Sequence, residues 1–281
     1  MNREKTVSQI NSLRYFIDNS LGTKRAIHTI NGFELSEPLL DAVAYNTYVE
    51  TVGNKADTMY LRLHESLTEM TTYSYLDYIK RLSEKFGWKN KEFVLAFDYT
   101  DEEFYGEVQG SLPIQLGHYK SYVISHMLSL LKPLLGEVKL LLFDRGFYDK
   151  DLMYELIQLK YPFLIFVPKH KDKKEILYPL EEGEKFTVLD TIALEEMIRI
   201  YRKRWRIETG FRVQDEAQIK CKSTEMKIRY FFFMFEQMLQ TQWVCFYKEE
   251  VSFKEFLIEM HKTCKTMVEN PKRSYFKNLK A

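Results

Sequence analysis

The sequence predicts an α/β fold preceded by an all-helical N-terminal region, and three observations carry that expectation. Residues 93–97 (Phe-Val-Leu-Ala-Phe), 138–143 (Val-Lys-Leu-Leu-Leu-Phe) and 162–168 (Pro-Phe-Leu-Ile-Phe-Val-Pro) are apolar runs of strand length. Such runs mark strands buried on both faces of a sheet. Helical patterns at 122–135 and 150–160 precede the second and third runs, so strands alternate with helices and pair in parallel through crossovers. Before residue 91 no such run occurs. Segments 7–21, 36–51, 56–69 and 72–86 instead place apolar residues at helical spacing.

In order, Gly22, the Asn31-Gly32 pair, Gly53-Asn54 and Gly87 punctuate the N-terminal helices, and Ser36 reads as a helix cap. Short helices with short turns make either a helix-turn-helix unit or a plain bundle. Each of the first two apolar runs ends on an acid, Asp98 and Asp144. Segments 104–108 and 112–116 are the candidates for additional strands between them. Asp149 and Asp151 read as helix-start acids, and His118 and His126 as surface or core residues rather than ligands. Residues 169–190 are polar and read as a short excursion, in the manner of one hairpin. One long helix is expected over 192–220 despite Gly210, which costs roughly 1 kcal/mol against Ala. Ser223-Thr224 caps the next helix, whose aromatic face is core, and 251–269 forms the last. Residues 230–247 are the densest apolar stretch, but Glu236, Gln237, Gln240 and Gln242 make it a buried core helix rather than a membrane span.

Composition narrows the function classes. With 45% apolar residues over 281 positions the chain has ample core and is no disordered polymer. A net charge of +1 does not announce a nucleic-acid binder, so local patches decide. Three scattered cysteines, Cys221, Cys245 and Cys264, imply a reducing compartment and match no zinc spacing. Met1-Asn2-Arg3-Glu4-Lys5 leads into no apolar run, so no signal peptide is expected.

The local patch is 199–222, with eight Lys/Arg against three Asp/Glu. As one helix it places Tyr201, Arg204, Glu208, Arg212 and Asp215 on a broad face. Glu208 is then an acid among cations and aromatics, the setting in which a carboxylate holds an ion beside a polyanion. The plain alternative is a solvated basic face. If Asp98, Asp144 and Glu208 meet, their mutual repulsion calls for divalent cations. Oxygen donors suit Mg²⁺ or Mn²⁺, and two ions about 3.5–4 Å apart support phosphodiester transfer.

Three local sequences sharpen this. Ala96-Phe97-Asp98-Tyr99-Thr100 ends a strand in Asp-x-Thr, Phe143-Asp144-Arg145-Gly146-Phe147-Tyr148 contains Asp-Arg-Gly-Phe-Tyr, and Tyr201, Arg204 and Glu208 fill Tyr-x2-Arg-x3-Glu. Together they resemble the insertion-sequence transposases with a DDE active site, in the family usually called IS-four, over about residues 91–250. The resemblance implies a ribonuclease H-like mixed sheet with flanking helices. It implies a catalytic region at 91–250 with a short insertion at about 169–190. Before that comes a helical, possible DNA-binding region at 1–90, and after it a C-terminal helix and basic tail at 251–281. It implies that Asp98, Asp144 and Glu208 are catalytic and hold two Mg²⁺ (or Mn²⁺) ions, with Tyr201, Arg204, Trp205, Arg212 and Arg145 at the DNA. The partners would be transposon ends, target DNA and a second copy in a paired-end complex, in a prokaryotic cytoplasm, at the nucleoid, with no membrane.

The chain departs from the family at three points. Only 46 positions separate Asp98 from Asp144, the interval from Asp144 to Glu208 leaves little for a β-rich insertion, and Asp215 stands where the signature has Lys. Three readings stay open: an active transposase, a shortened or decayed relative that binds DNA or a transposase partner, and another ribonuclease H-like nuclease.

Overall fold

The structure, a computed structural model, describes residues 1–22, 31–53, 55–98, 119–165 and 194–269. Expected strands at 104–108 and 112–116, the excursion at 169–190, His118 and the basic tail lie outside the described residues. Two compact units emerge. One holds Met1–Lys80 and the chain from Gly210 on; the other holds the described parts of Arg81–Asp101 and Leu116–Thr209.

The first unit is helical. α1 (Arg3–Leu21) starts on Asn2, whose side chain accepts the backbone N–H groups of Glu4 and Lys5. α2 (Gly32–Tyr45) begins four residues before the expected Ser36. Asn31 and Glu34 form a capping box there, which overrides the weaker Ser36 signal, and Pro38 is carried inside the helix. A Cβ at position 32 would lie 2.2 Å from the Arg14 carbonyl oxygen, so only glycine lets α2 start against α1. α2 stops at Tyr45 rather than continuing to 51, because Asn46 turns left-handed; a single turn, α3 (Val49–Val52), follows. α4 (Ala56–Glu65) and α5 (Thr68–Phe86) complete the N-terminal helices. The C-terminal helices α10 (Met226–Phe246) and α11 (Phe253–Glu269) join the same core, in which Phe16 stacks on Phe231 at 5.8 Å. Glu236, buried in α10, accepts the backbone N–H of Ile219 at 2.8 Å, and Gln242 donates to the Gln9 carbonyl at 3.0 Å. These bonds hold Glu236 and the Gln242 amide nitrogen within a packed core, while Gln242 Oε1 is buried without a hydrogen-bond partner. Among the described residues no helix is long and apolar enough to cross a membrane.

The second unit is the expected α/β sheet. β1 (Glu92–Phe97), β2 (Glu137–Phe143) and β3 (Phe163–Ile165) pair in parallel in the order β1-β2-β3. Alternate residues of β2 serve opposite faces. Leu141 and Phe143 pack with α6 (Lys120–Leu131) and α7 (Lys150–Gln158) through Ile124, Leu128, Leu152 and Leu156. Leu140 and Leu142 pack with Tyr201 of α8 (Leu194–Arg202) on the other face. Covering both faces is why β2 reads as a continuous apolar run. Burial of each such side chain contributes roughly 1.5–3 kcal/mol. Asp149 caps α7 by accepting the Leu152 N–H at 3.0 Å, in the helix-start role expected of it.

Two features set the height of β2 against β1. Gly136 donates its N–H to the Trp88 carbonyl at 3.1 Å, and a Cβ there would meet the Lys91 oxygen at 2.2 Å. The pairing then skips a residue: Phe93 faces Val138, but Val94 faces Leu140. Lys139 is the extra residue, and its ammonium pairs with Glu137 at 2.9 Å and Glu92 at 3.3 Å. Past this bulge the register runs to Phe97 opposite Phe143.

Two further expectations fail. α10 starts after Glu225 rather than on Ser223-Thr224, and among the described residues no side chain caps it. The long helix over 192–220 is two helices, α8 and α9 (Trp205–Asp215), separated by turn residues Lys203 and Arg204. Lys203 donates to the Ile200 carbonyl at 3.0 Å and Arg204 to that of Tyr201 at 2.9 Å, which is the tighter three-residue spacing. Tyr201 and Glu208 therefore do not share one unbroken helical face.

Candidate active site

Asp98 and Asp144 are the first residues beyond Phe97 and Phe143, which are directly opposed at the carboxyl ends of adjacent parallel strands. That end of an open α/β sheet is where ligands collect. The two phenylalanine rings stack at 5.1 Å, and Phe147 adds a third at 5.4 Å from Phe143, so apolar packing lies next to both acids.

Arg204 spans the pair. Its Nη1 donates to Asp98 Oδ2 at 2.6 Å, and its Nη2 lies 3.6 Å from Asp144 Oδ1. Arg204 is 7% exposed, and a cation so buried is tolerated only when paired. The acids differ in access, with side chains 14% exposed for Asp98 and 40% for Asp144. Asp144 also caps the short turn Arg145–Phe147, accepting the Gly146 N–H at 3.4 Å. Lys120, which sequence reasoning did not single out, donates to the Gly146 carbonyl from the start of α6. No motif surrounds it; only the folded chain brings it there.

Tyr201 holds Arg204 from below. Its hydroxyl donates to the Phe143 carbonyl at 3.1 Å, and its ring lies 5.6 Å from the guanidinium carbon. Burial pushes the Tyr201 phenol above its ordinary range; Arg204 opposes that shift and Asp144 adds to it. Tyr201, Arg204, Asp98 and Asp144 thus form one connected cluster. Trp205 and Arg145 are exposed in the same unit. Arg212 is exposed on the C-terminal half of α9, in the helical unit. Glu208 lies on α9 four residues beyond Arg204 and is described at the level of its backbone.

The donor set suits a hard divalent cation. Two carboxylates stand side by side, and the half-exposed Asp144 leaves room for the waters that Mg²⁺ keeps. The resident guanidinium already demonstrates that the pair accepts positive charge.

Residues 114–226 match the family of transposase DDE domains. That stretch is less than half of the chain; it takes in β2, Asp144, Tyr201, Arg204 and Glu208 and begins after Asp98. No curated protein and no solved structure matches the chain.

Proposed function

We propose that this protein is a DNA transposase of the DDE type, of the insertion-sequence kind, with Asp98, Asp144 and Glu208 as its catalytic carboxylates. The observation that carries the reading is the pairing of Asp98 and Asp144 at directly opposed strand ends, with Glu208 four residues beyond the arginine that spans them. The similarity to transposase DDE domains over 114–226 supports it. The three acids would hold Mg²⁺ or Mn²⁺, two ions in all. When bound, such ions activate an attacking hydroxyl and stabilise the leaving oxygen of a phosphodiester.

The chain's own residues divide the remaining work. Arg204 holds the two carboxylates level against their repulsion. Tyr201 fixes Arg204, and Trp205, Arg145 and Arg212 offer an exposed ring and cations to the DNA. The reaction is cut-and-paste. Water cleaves the phosphodiester at the element end and leaves a 3′-OH. That hydroxyl then attacks a target phosphodiester, forming one ester bond and releasing the target's 3′-OH. Two copies of the chain pair the two ends.

Glu208→Gln tests the assignment on supercoiled plasmid carrying the element's ends. Mg²⁺-dependent cleavage disappears while DNA binding, read by gel shift, persists; continued cleavage rejects Glu208 as a catalytic acid.

A second reading, a decayed relative that binds DNA without efficient catalysis, is favoured by one residue. Asp215 is exposed and negative where the signature has Lys, which weakens a phosphate contact. Wild-type protein given Mn²⁺ and the same plasmid separates the two. Nicking supports the transposase, and end binding without nicking supports the decayed form.

A further inference from the structure

The helical unit carries a cluster that the reaction above does not use. Glu37 and Asp41 stand four residues apart on α2 and so share a face. His261 on α11 aims its Nε2 at both, 3.8 Å from Glu37 Oε1 and 3.5 Å from Asp41 Oδ1. Among the described residues this is the grouping in which three ligand atoms lie within 4.8 Å of one another. His261 is 7% exposed, and its Nε2 has no hydrogen-bond partner. The Tyr45 ring stands edge-on to the imidazole at 5.7 Å.

A buried ring nitrogen without a partner needs an explanation. Both carboxylate distances are too long for hydrogen bonds, which end near 3.2 Å. They lie close to the spacing of ligands around one ion: tetrahedral bonds of about 2.0–2.2 Å put neighbouring ligand atoms roughly 3.3–3.6 Å apart, a window that holds the 3.5 Å Asp41 distance and that the 3.8 Å Glu37 distance narrowly exceeds. The Glu37 and Asp41 side chains are 28% and 22% exposed, so an ion and its water can enter from solvent.

We propose that Glu37, Asp41 and His261 form a binding site for a first-row divalent transition-metal ion, with Zn²⁺ as its occupant. The imidazole nitrogen distinguishes it from an all-oxygen site for Mg²⁺ or Ca²⁺. Affinity for such a mixed nitrogen and oxygen set rises from Mn²⁺ through Co²⁺, and Zn²⁺ stands above Mn²⁺ and Fe²⁺ in the order of the metals. Three protein ligands leave a fourth position to water. The ion clamps α2 to α11, two helices far apart in sequence, and so stabilises the helical unit. The site stands whether or not the chain is a transposase.

The test uses the full chain stripped with a chelator and titrated with Zn²⁺, beside Asp41→Asn and His261→Gln. Wild type binds one more equivalent than either variant, and Zn²⁺ raises its thermal midpoint but not theirs. Co²⁺ gives wild type visible absorption bands that both variants lack. Asp41→Asn keeps the shape of the site, so a fold lost in His261→Gln does not blunt the comparison; far-UV circular dichroism checks both. Equal Zn²⁺ stoichiometry in wild type and Asp41→Asn overturns the proposal. So does an imidazolium at His261 whose NMR titration is indifferent to Zn²⁺, because the cluster is then an ion pair.

Discussion

Arg14 and Arg204 are equally hidden, at 8% and 7% exposed, one in each compact unit, yet their surroundings differ in kind. Among the described residues, the contacts of Arg14 in the helical unit are with neutral groups. Its Nε donates to Ser36 Oγ at 3.0 Å, a terminal nitrogen lies 3.9 Å from Cys264 Sγ, and its guanidinium sits 4.5 Å from the Phe33 ring. Arg204 in the α/β unit lies against two carboxylates. The difference teaches what burial alone does not. A buried cation among neutral partners ties helices together, whereas one that spans two acids keeps a pair of anions assembled that would otherwise repel.

Removing each charge breaks the comparison most directly. Arg204→Met leaves two facing carboxylates without their counter-ion, and breaking a buried pair from one side costs 3–5 kcal/mol. The expected loss is about 3 kcal/mol, the low end, because Asp144 is half open to water. Urea denaturation reads it, and millimolar Mg²⁺ restores part of the loss. A loss that Mg²⁺ leaves untouched would mean the acids do not accept a divalent ion. Arg14→Met removes the bond to Ser36, the weak contact with Cys264 and one ring contact, so it costs about 1–2 kcal/mol, and Mg²⁺ has no effect on it. Equal losses at the two positions would erase the distinction.

The smallest effect sharpens it. Tyr201→Phe deletes the bond to the Phe143 carbonyl, worth about 1 kcal/mol at neutral pH. The folded-state pKa of Tyr201 is raised above its ordinary 10.0, so the unfolded chain ionises first. The stability that this phenol contributes is therefore whole below about pH 10 and is lost as pH rises from there toward the folded value. Wild type and Tyr201→Phe should converge in urea midpoint above pH 10; a constant gap would show that burial does not govern the phenol.

Much of this was legible in the sequence. The runs 93–97 and 138–143 announced their strands because side chains pack on both faces of the sheet, and the acids that end them stand together at the candidate site. The capping box at Asn31 and Glu34 was also in plain letters, but Ser36 drew the helix start downstream. The break at Lys203 and Arg204 had no such marker. Neither proline nor glycine stands there, and the side chain at the break is bonded to an acid 106 residues earlier. Local periodicity cannot register a pull of that range. His261 was equally silent, since nothing near it in the chain points to α2.

The extra residue in β2 has a consequence for the chemistry. If Lys139 paired with Val94 instead of bulging out, Phe97 would face Leu142, and Asp98 would fall opposite Phe143. The two carboxylates would then be out of step by one residue, about 3.3 Å along the strands, and would aim at opposite sides of the sheet. A surface lysine, gripped by Glu92 and Glu137 at the far end of the strands, thus works as a shim that levels two acids it never touches.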